Sequence, residues 1–241
     1  MRLCMFHPAG HPLERGWVGR VDGDRVVHLA AQTLQSFFTG GGAAREHAEY
    51  PLAAVVLLTP VLHPPAVRVF DGPVRFEFAN PAAVAGPGAV VPRPGPRLAL
   101  LPRLAAVVGL DGAIGGLTVF ADVRAPEQPP PKDRDFAFVL GPQVVTLDEA
   151  PAAPEVVVRV DGRERPRLRS AFDWERARAH AERGTVLRPG DLLASPAAGA
   201  VVELLPGCRV EVDVEGVGVL PFLVRPSECG VPDVSPETRV P

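Results

Sequence analysis

Proline and glycine limit what this chain can fold into. Its 241 residues include 29 prolines and 24 glycines, close to twice the usual share for the pair. Neither recurs with a period of three, which excludes a collagen-like helix. Proline breaks helix interiors and lacks the N–H that a central strand needs. Prolines spread this densely therefore favour many short elements joined by fixed turns. A bundle of long helices is disfavoured, and so is a doubly wound sheet with repeated long crossover helices. A hydrophobic share of 46% and a net charge of −3 belong to a globular chain rather than a disordered one. The length suits one large domain or two small ones.

The charges exclude further classes. With 25 basic and 28 acidic residues, no basic stretch is dense enough for a nucleic-acid footprint. One tyrosine and two tryptophans offer few stacking platforms. The run Arg163, Arg165, Arg167, Arg169 is interrupted by proline and Glu164 and reads as a solvated strand face. Cys4, Cys208 and Cys229 have no ligand spacing, and an odd number does not build a disulfide framework. The opening MRLCMFHPAGHP lacks the apolar core of a signal peptide, and no uncharged apolar run is long enough to span a membrane. The expectation is a soluble cytoplasmic protein with no nucleic-acid and no membrane partner.

Period-two alternation dominates the rest. Trp17 to Leu29 reads as a hairpin around Asp22-Gly23-Asp24, and residues 30–38 as a short helix, with a second helix over Ala43–His47. VRVF (67–70) and VRFEF (74–78) alternate cleanly. Strands are expected at Leu104–Gly109, Ile114–Val123, within 136–147, at 156–160, at Ala200–Leu205 and over Val210–Val224. One clear helix follows Ser170, read as its N-cap with Asp173 three residues on, and ends at Gly184; Trp174 is expected to pack inward and His180 to face solvent. The expected organisation is a small β-rich N-terminal domain (1–60), a mainly β core (66–226) and a loose tail (227–241).

Few residues announce chemistry by themselves. His7 and His11 are separated by proline and glycine, and no histidine has zinc spacing. There is neither a G-x-S-x-G elbow nor a phosphate-binding loop. The group that stands out is Asp122, Glu127, Lys132 and Asp135, with Asp122 at the end of an apolar run. Read alone, these residues serve equally as loop charges and turn formers.

The order of short motifs resembles the fumarylacetoacetate hydrolase superfamily. Phe78-Ala79-Asn80-Pro81 with Gly86-Pro87 resembles its Phe-x-Lys-Pro and Gly-Pro segment, with Asn80 at the lysine. Leu104 to Gly109 resembles the strand after the metal-binding glutamates, and Gly116 to Val123 its Gly-Tyr-Thr-x-x-Asn-Asp-Val segment. Lys132-x-x-Asp135 with Gly141-Pro142, then Val160-Asp161-Gly162, Leu187 to Asp191 and Leu205-Pro206-Gly207 complete the series. The resemblance implies a mainly β (α+β) fold, a mixed β-roll core with few short helices, usually a homodimer. It also implies Mg²⁺- or Mn²⁺-dependent hydrolysis, decarboxylation or isomerisation of small 2-oxo or dioxo acids.

The departures fall on the chemistry. The two glutamates of the family's metal site align with Leu101 and Arg103, leaving Asp122 alone. The loop carrying the family's histidine, expected after Arg68, is missing. The Ser-x-Arg-Asp segment becomes Arg124-Ala125-Pro126-Glu127, and the Thr-Gly-Thr-Pro substrate loop becomes Ala194-Ser195-Pro196. The first reading is a member without the metal site and with no cofactor, either non-catalytic or binding a small organic anion through Arg103, Lys132 and Ser195. It predicts that Arg103 pairs with Asp122 and that a pocket is lined by Arg103, Asp122 and Lys132. The alternative is an active Mg²⁺ or Mn²⁺ enzyme with rearranged ligands, Asp122 and Glu127 among them, with Glu77 or Asp135 also available. A third reading uses Lys132, beside Asp122, as a metal-free catalytic base or Schiff-base former.

Overall fold

The computed structural model describes residues 1–199 and 202–226. Alternating sequence becomes strand nearly throughout. In chain order these are β1 (Arg2–Pro8), β2 (Trp17–Asp22), β3 (Arg25–Leu29), β4 (Glu46–Pro51), β5 (Val55–Leu57), β6 (Val67–Gly72) and β7 (Arg75–Ala79). Next come β8 (Val84–Ala85), β9 (Val90–Val91), β10 (Leu98–Val108), β11 (Ile114–Arg124), β12 (Phe138–Val145), β13 (Glu155–Val160), β14 (Arg163–Glu164) and β15 (Leu168–Arg169). The last are β16 (Leu192–Ala194), β17 (Val202–Leu204), β18 (Arg209–Val214) and β19 (Gly218–Val224). Two short α-helices interrupt them, α1 (Leu34–Thr39) and α2 (Trp174–Glu182). The mainly β, mixed-sheet fold expected from the sequence is the fold observed.

The larger sheet runs β4-β3-β2-β1-β12-β11-β10-β16-β6-β7, and the smaller runs β14-β13-β18-β19-β9. The longest pairing, β10 with β11, lies between two apolar layers. Leu100, Leu104 and Ala106 with Val119, Ala121 and Val123 pack against Val158, Val212 and Phe222 of the smaller sheet. The alternate positions Ala105, Val107 and Phe120 turn the other way, toward Met5, Leu34, Phe37 and Phe138. Burying each of the larger side chains among these contributes roughly 1.5–3 kcal/mol. Arg103 and Asp122 belong to this second face by alternation, which puts two charges inside an apolar layer.

Four expectations are corrected. Residues 43–47 do not form a helix: Glu46–Pro51 pairs with β3, and that sheet pairing overrides the helical preference of a few residues. Helix α2 is capped by Asp173, whose side chain accepts from Arg176 N at 3.0 Å, rather than by Ser170, whose N–H goes to Pro154 O. His180 does not face solvent but packs edge-on against Phe76 at 5.8 Å, with its Nδ1 buried. The strand at Leu104–Gly109 begins earlier, at Leu98, and runs straight through Pro102. Pro102 is tolerated there because β10 changes partners around it, pairing with β17 at 98–100 and with β16 at 105–107. Trp174 is partly buried against the core, as expected. Cys229 and the tail 227–241 lie outside the described residues. Among the described residues, no helix is long and apolar enough to cross a membrane.

Strands β2 to β4 carry an aromatic group of their own. The Trp17 ring stacks on His28 at 4.8 Å, and His47 lies 5.1 Å beyond. Burial, reinforced by His47, holds His28 below its ordinary value of 6.5. The folded state thus takes up this proton less readily than the unfolded chain. The associated stability is complete above about 6.5 and declines as pH falls through the lowered value. In a Trp174→Phe background, Trp17 emission should drop on acidification below 6.5, and His28→Gln should remove that transition. Packing makes a second prediction. A Cβ on Gly116 would meet Val145 O at 2.5 Å and Val144 Cγ1 at 2.7 Å, whereas one on Gly10 meets nothing within 4 Å. Gly116→Ala should lower stability by about 1–3 kcal/mol in urea denaturation, and Gly10→Ala should leave the midpoint in place.

Candidate functional site

Register brings three of the expected positions together. In the antiparallel β10–β11 ladder Leu101 lies opposite Asp122 and Arg103 opposite Phe120, so Leu101, Arg103 and Asp122 share one face. Asp122 is 0% exposed and Arg103 2%. Arg103 donates from Nε to Asp122 Oδ2 at 3.1 Å, and from Nη1 to the carbonyl oxygens of Phe70 at 3.1 Å and Ser195 at 2.7 Å. The expected Arg103–Asp122 pair is present, and three chain segments converge on one guanidinium.

A second guanidinium, not anticipated from the sequence, completes the arrangement. Arg124 donates to the same Oδ2 from Nη2 at 3.1 Å and from Nε at 3.4 Å. The available signal was its spacing: two residues beyond Asp122 on a strand is the same face. Burial lowers the Arg103 guanidinium below its ordinary value, with Asp122 pulling the other way. Burial opposes Arg124 too, but Asp122, then Asp133 and Asp71, outweigh it and raise the group. Both side chains remain cations at any ordinary pH. Asp122 Oδ1 is buried without a partner.

The other expected residues stand elsewhere. Ser195 enters through its main-chain oxygen, while its hydroxyl accepts from Leu104 N at 3.2 Å and donates to Pro196 O at 2.8 Å. Its hydroxyl is thus used internally rather than offered to a substrate. Lys132 is 71% exposed and pairs with Asp135 at 2.7 Å, without the burial that base or Schiff-base chemistry draws on. Glu127 pairs with Arg97 on the surface at 2.5 Å and makes no contact with Asp122 through a shared partner. The hairpin β6–β7 turns through two residues, Pro73 and Val74, where the resemblance expects a histidine-bearing loop.

These residues do not fit a hard divalent cation. Such an ion takes six or more oxygen ligands, several from carboxylates. Here Leu101 supplies none, and Asp122 Oδ2 is already held by two guanidinium groups. Each unit charge on a neighbouring guanidinium would oppose a cation by on the order of 4 kcal/mol per unit of ionic charge at ~4 Å and intermediate dielectric. Among the described residues, no group of three or more His, Cys, Asp or Glu is gathered as a metal site requires.

Beside the trio of Arg103, Asp122 and Arg124 opens a cleft of about 650 Å³. Its charged lining is Glu77, Arg124, Asp133, Arg134 and Asp135, with Phe78 at one wall. The expected pocket of Arg103, Asp122 and Lys132 is thus replaced by one to which Arg124 alone connects the trio. Two further ion pairs that the sequence did not suggest stand nearby. Arg68 and Asp191 are both buried and bond at 3.0 Å, with the Phe78 ring 5.3 Å from the Arg68 guanidinium. Arg134 bonds Glu77 at 2.5 Å.

No protein-family profile and no curated protein sequence matches the chain. Solved structures do. A maleylpyruvate hydrolase from Sphingobium sp. SYK-6 is similar with a TM-score of 0.79 and 22% identity, over 94% of this chain and 100% of that one. A 5-carboxymethyl-2-hydroxymuconate delta-isomerase from Mycobacterium smegmatis gives 0.77 and 23%, over 94% and 100%. A 2-keto-3-deoxy-D-arabinonate dehydratase gives 0.77 and 18%, over 95% and 100%. At these identities the likeness is one of fold, and it extends over nearly the whole chain.

The trio makes a stability prediction. Asp122→Ala strands a buried guanidinium and should cost about 3–5 kcal/mol in chemical denaturation. The double change Arg103→Met with Asp122→Leu removes both buried charges and should cost clearly less.

Proposed function

We propose that this chain is a divergent member of the fumarylacetoacetate hydrolase superfamily without its divalent-metal centre, which binds a small organic acid and does not catalyse the superfamily's metal-dependent reactions. One observation carries the reading: the carboxylate expected to hold the metal, Asp122, is instead held by Arg103 and Arg124. In place of a dication, two fixed cations neutralise the buried aspartate. A ligand is then recognised by charge and hydrogen bonding in the adjoining cleft, with Arg124 as the connection to the trio. Arg103 and Asp122 act from beneath, by positioning Arg124. The same reading has the chain cytoplasmic and homodimeric.

A second reading has specific support. One structural neighbour, the Sphingobium hydrolase, is described in complex with manganese(II) and pyruvate, and the dehydratase with magnesium and 2,5-dioxopentanoate. An active Mg²⁺ or Mn²⁺ enzyme acting on small oxo acids would require Asp122 to leave both arginines, and Glu127 or another carboxylate to join it.

Calorimetric titration with Mn²⁺ separates the two. The protein should give no micromolar binding, and the paired changes Leu101→Glu and Arg103→Glu, which reinstate the two carboxylates opposite Asp122, should create it. Micromolar binding by the unaltered chain, with chelator-sensitive turnover of an acylpyruvate or oxaloacetate, would favour the second reading instead.

A further inference from the structure

Arg134 is 8% exposed, lines the cleft, and has only part of its guanidinium engaged. Its Nη1 donates to Glu77, whereas Nε and Nη2 are buried without a partner. Those two nitrogens form one edge of the planar group, the two-donor fork that matches the two oxygens of a carboxylate. Next to it in sequence and lining the same cleft, Asp133 has a buried Oδ1 that also lacks a partner. The other charges of the lining are spoken for: Glu77 by Arg134 Nη1, Asp135 by Lys132, and Arg124 by Asp122. What remains without a hydrogen bond is therefore a two-donor cationic edge and one oxygen of Asp133, whose charge also bears on Arg124.

A buried donor edge and a buried carboxylate oxygen are each costly to leave unpaired. A simple anion answers only the first of them. We infer that the cleft takes a small zwitterion, a molecule with one carboxylate for the Arg134 fork and one ammonium group for Asp133. This deepens the proposed function, since it rests on the cleft being a metal-independent site for a small organic acid. It assigns recognition to Arg134 and Asp133 in place of Arg103, Lys132 and Ser195. It also sets the ligand class apart from the oxo acids named for the structural neighbours.

The test is calorimetric titration of the full chain with glycine, β-alanine and γ-aminobutyrate, which vary the spacing between the two charges, alongside pyruvate and methylamine. At least one zwitterion should bind at least tenfold more tightly than pyruvate or methylamine. Arg134→Lys, which keeps the charge and removes the fork, and Asp133→Asn, which keeps the shape and removes the charge, should each weaken that binding about tenfold or more. Asp133→Asn should leave the weak affinity for pyruvate unchanged or raise it, a split that general loosening of the fold would not produce. Asp133 is only partly buried, so its variant keeps the test open if Arg134→Lys fails to fold. Binding of pyruvate with no zwitterion binding would overturn this inference and leave the organic-acid reading standing. Binding of none of the five would overturn both, and zwitterion binding that survives both substitutions would overturn the assignment to these residues.

Discussion

Arg103 holds together parts of the chain that have little else in common. From β10 it reaches Asp122 on β11, the Phe70 carbonyl on β6 and the Ser195 carbonyl just after β16. Each of these acceptors is internal, and the guanidinium cannot lose its charge to relieve its burial. The surrounding strands must therefore keep those oxygens in place for the folded state to exist. A buried pair of this kind adds little net stability over a well-packed apolar substitute. It does penalise any arrangement in which one partner is missing, and so it restricts the ways β6, β10, β11 and β16 can associate.

The restriction bears on a short parallel junction. β16 is three residues long and joins β6 in parallel through only three register pairs, a slanted ladder slightly less stable per residue than an antiparallel one. A buried arginine secures each end of that junction. Arg68 of β6 bonds Asp191 immediately before β16, and Arg103 bonds residues on both strands' far sides, Phe70 and Ser195. Asp191 is itself fixed by accepting from Arg188 N at 3.2 Å. The Pro189-Gly190 turn, with Gly190 at φ +90°, brings the chain round to make that contact. Prolines and glycines that looked like mere punctuation thus present a charged residue to a buried partner.

Much of the fold was legible because β-alternation is a local signal. The hairpins at 17–29 and 67–79 and the long strand at 114–124 follow from period two and from turn residues between runs. Local signals failed where a distant partner decided the outcome. Glu46–Pro51 is strand only because β3 lies beside it. Pro102 sits inside β10 only because β16 and β17 divide that strand's edge between them. Asp173 displaced Ser170 as the helix cap because the backbone of Ser170 is drawn toward Pro154.

From the amino-acid order alone, period-two alternation places Asp122 in a strand at Ile114–Val123, but the strand it marks at Leu104–Gly109 stops short of Leu101 and Arg103, which only the motif resemblance ties to the metal-site glutamates. Alternation is a local property, so it assigns a residue to a strand but not to a partner across the ladder. What each charge meets was settled in three dimensions. Arg124 turns onto Asp122, Lys132 stays at the surface with Asp135, and Arg134 is buried against Glu77 with one edge unmatched. The physical reason is that a charged side chain is long and its destination depends on desolvation and on partners far away in sequence. For Arg134 that partner is Glu77, 57 residues earlier in the chain.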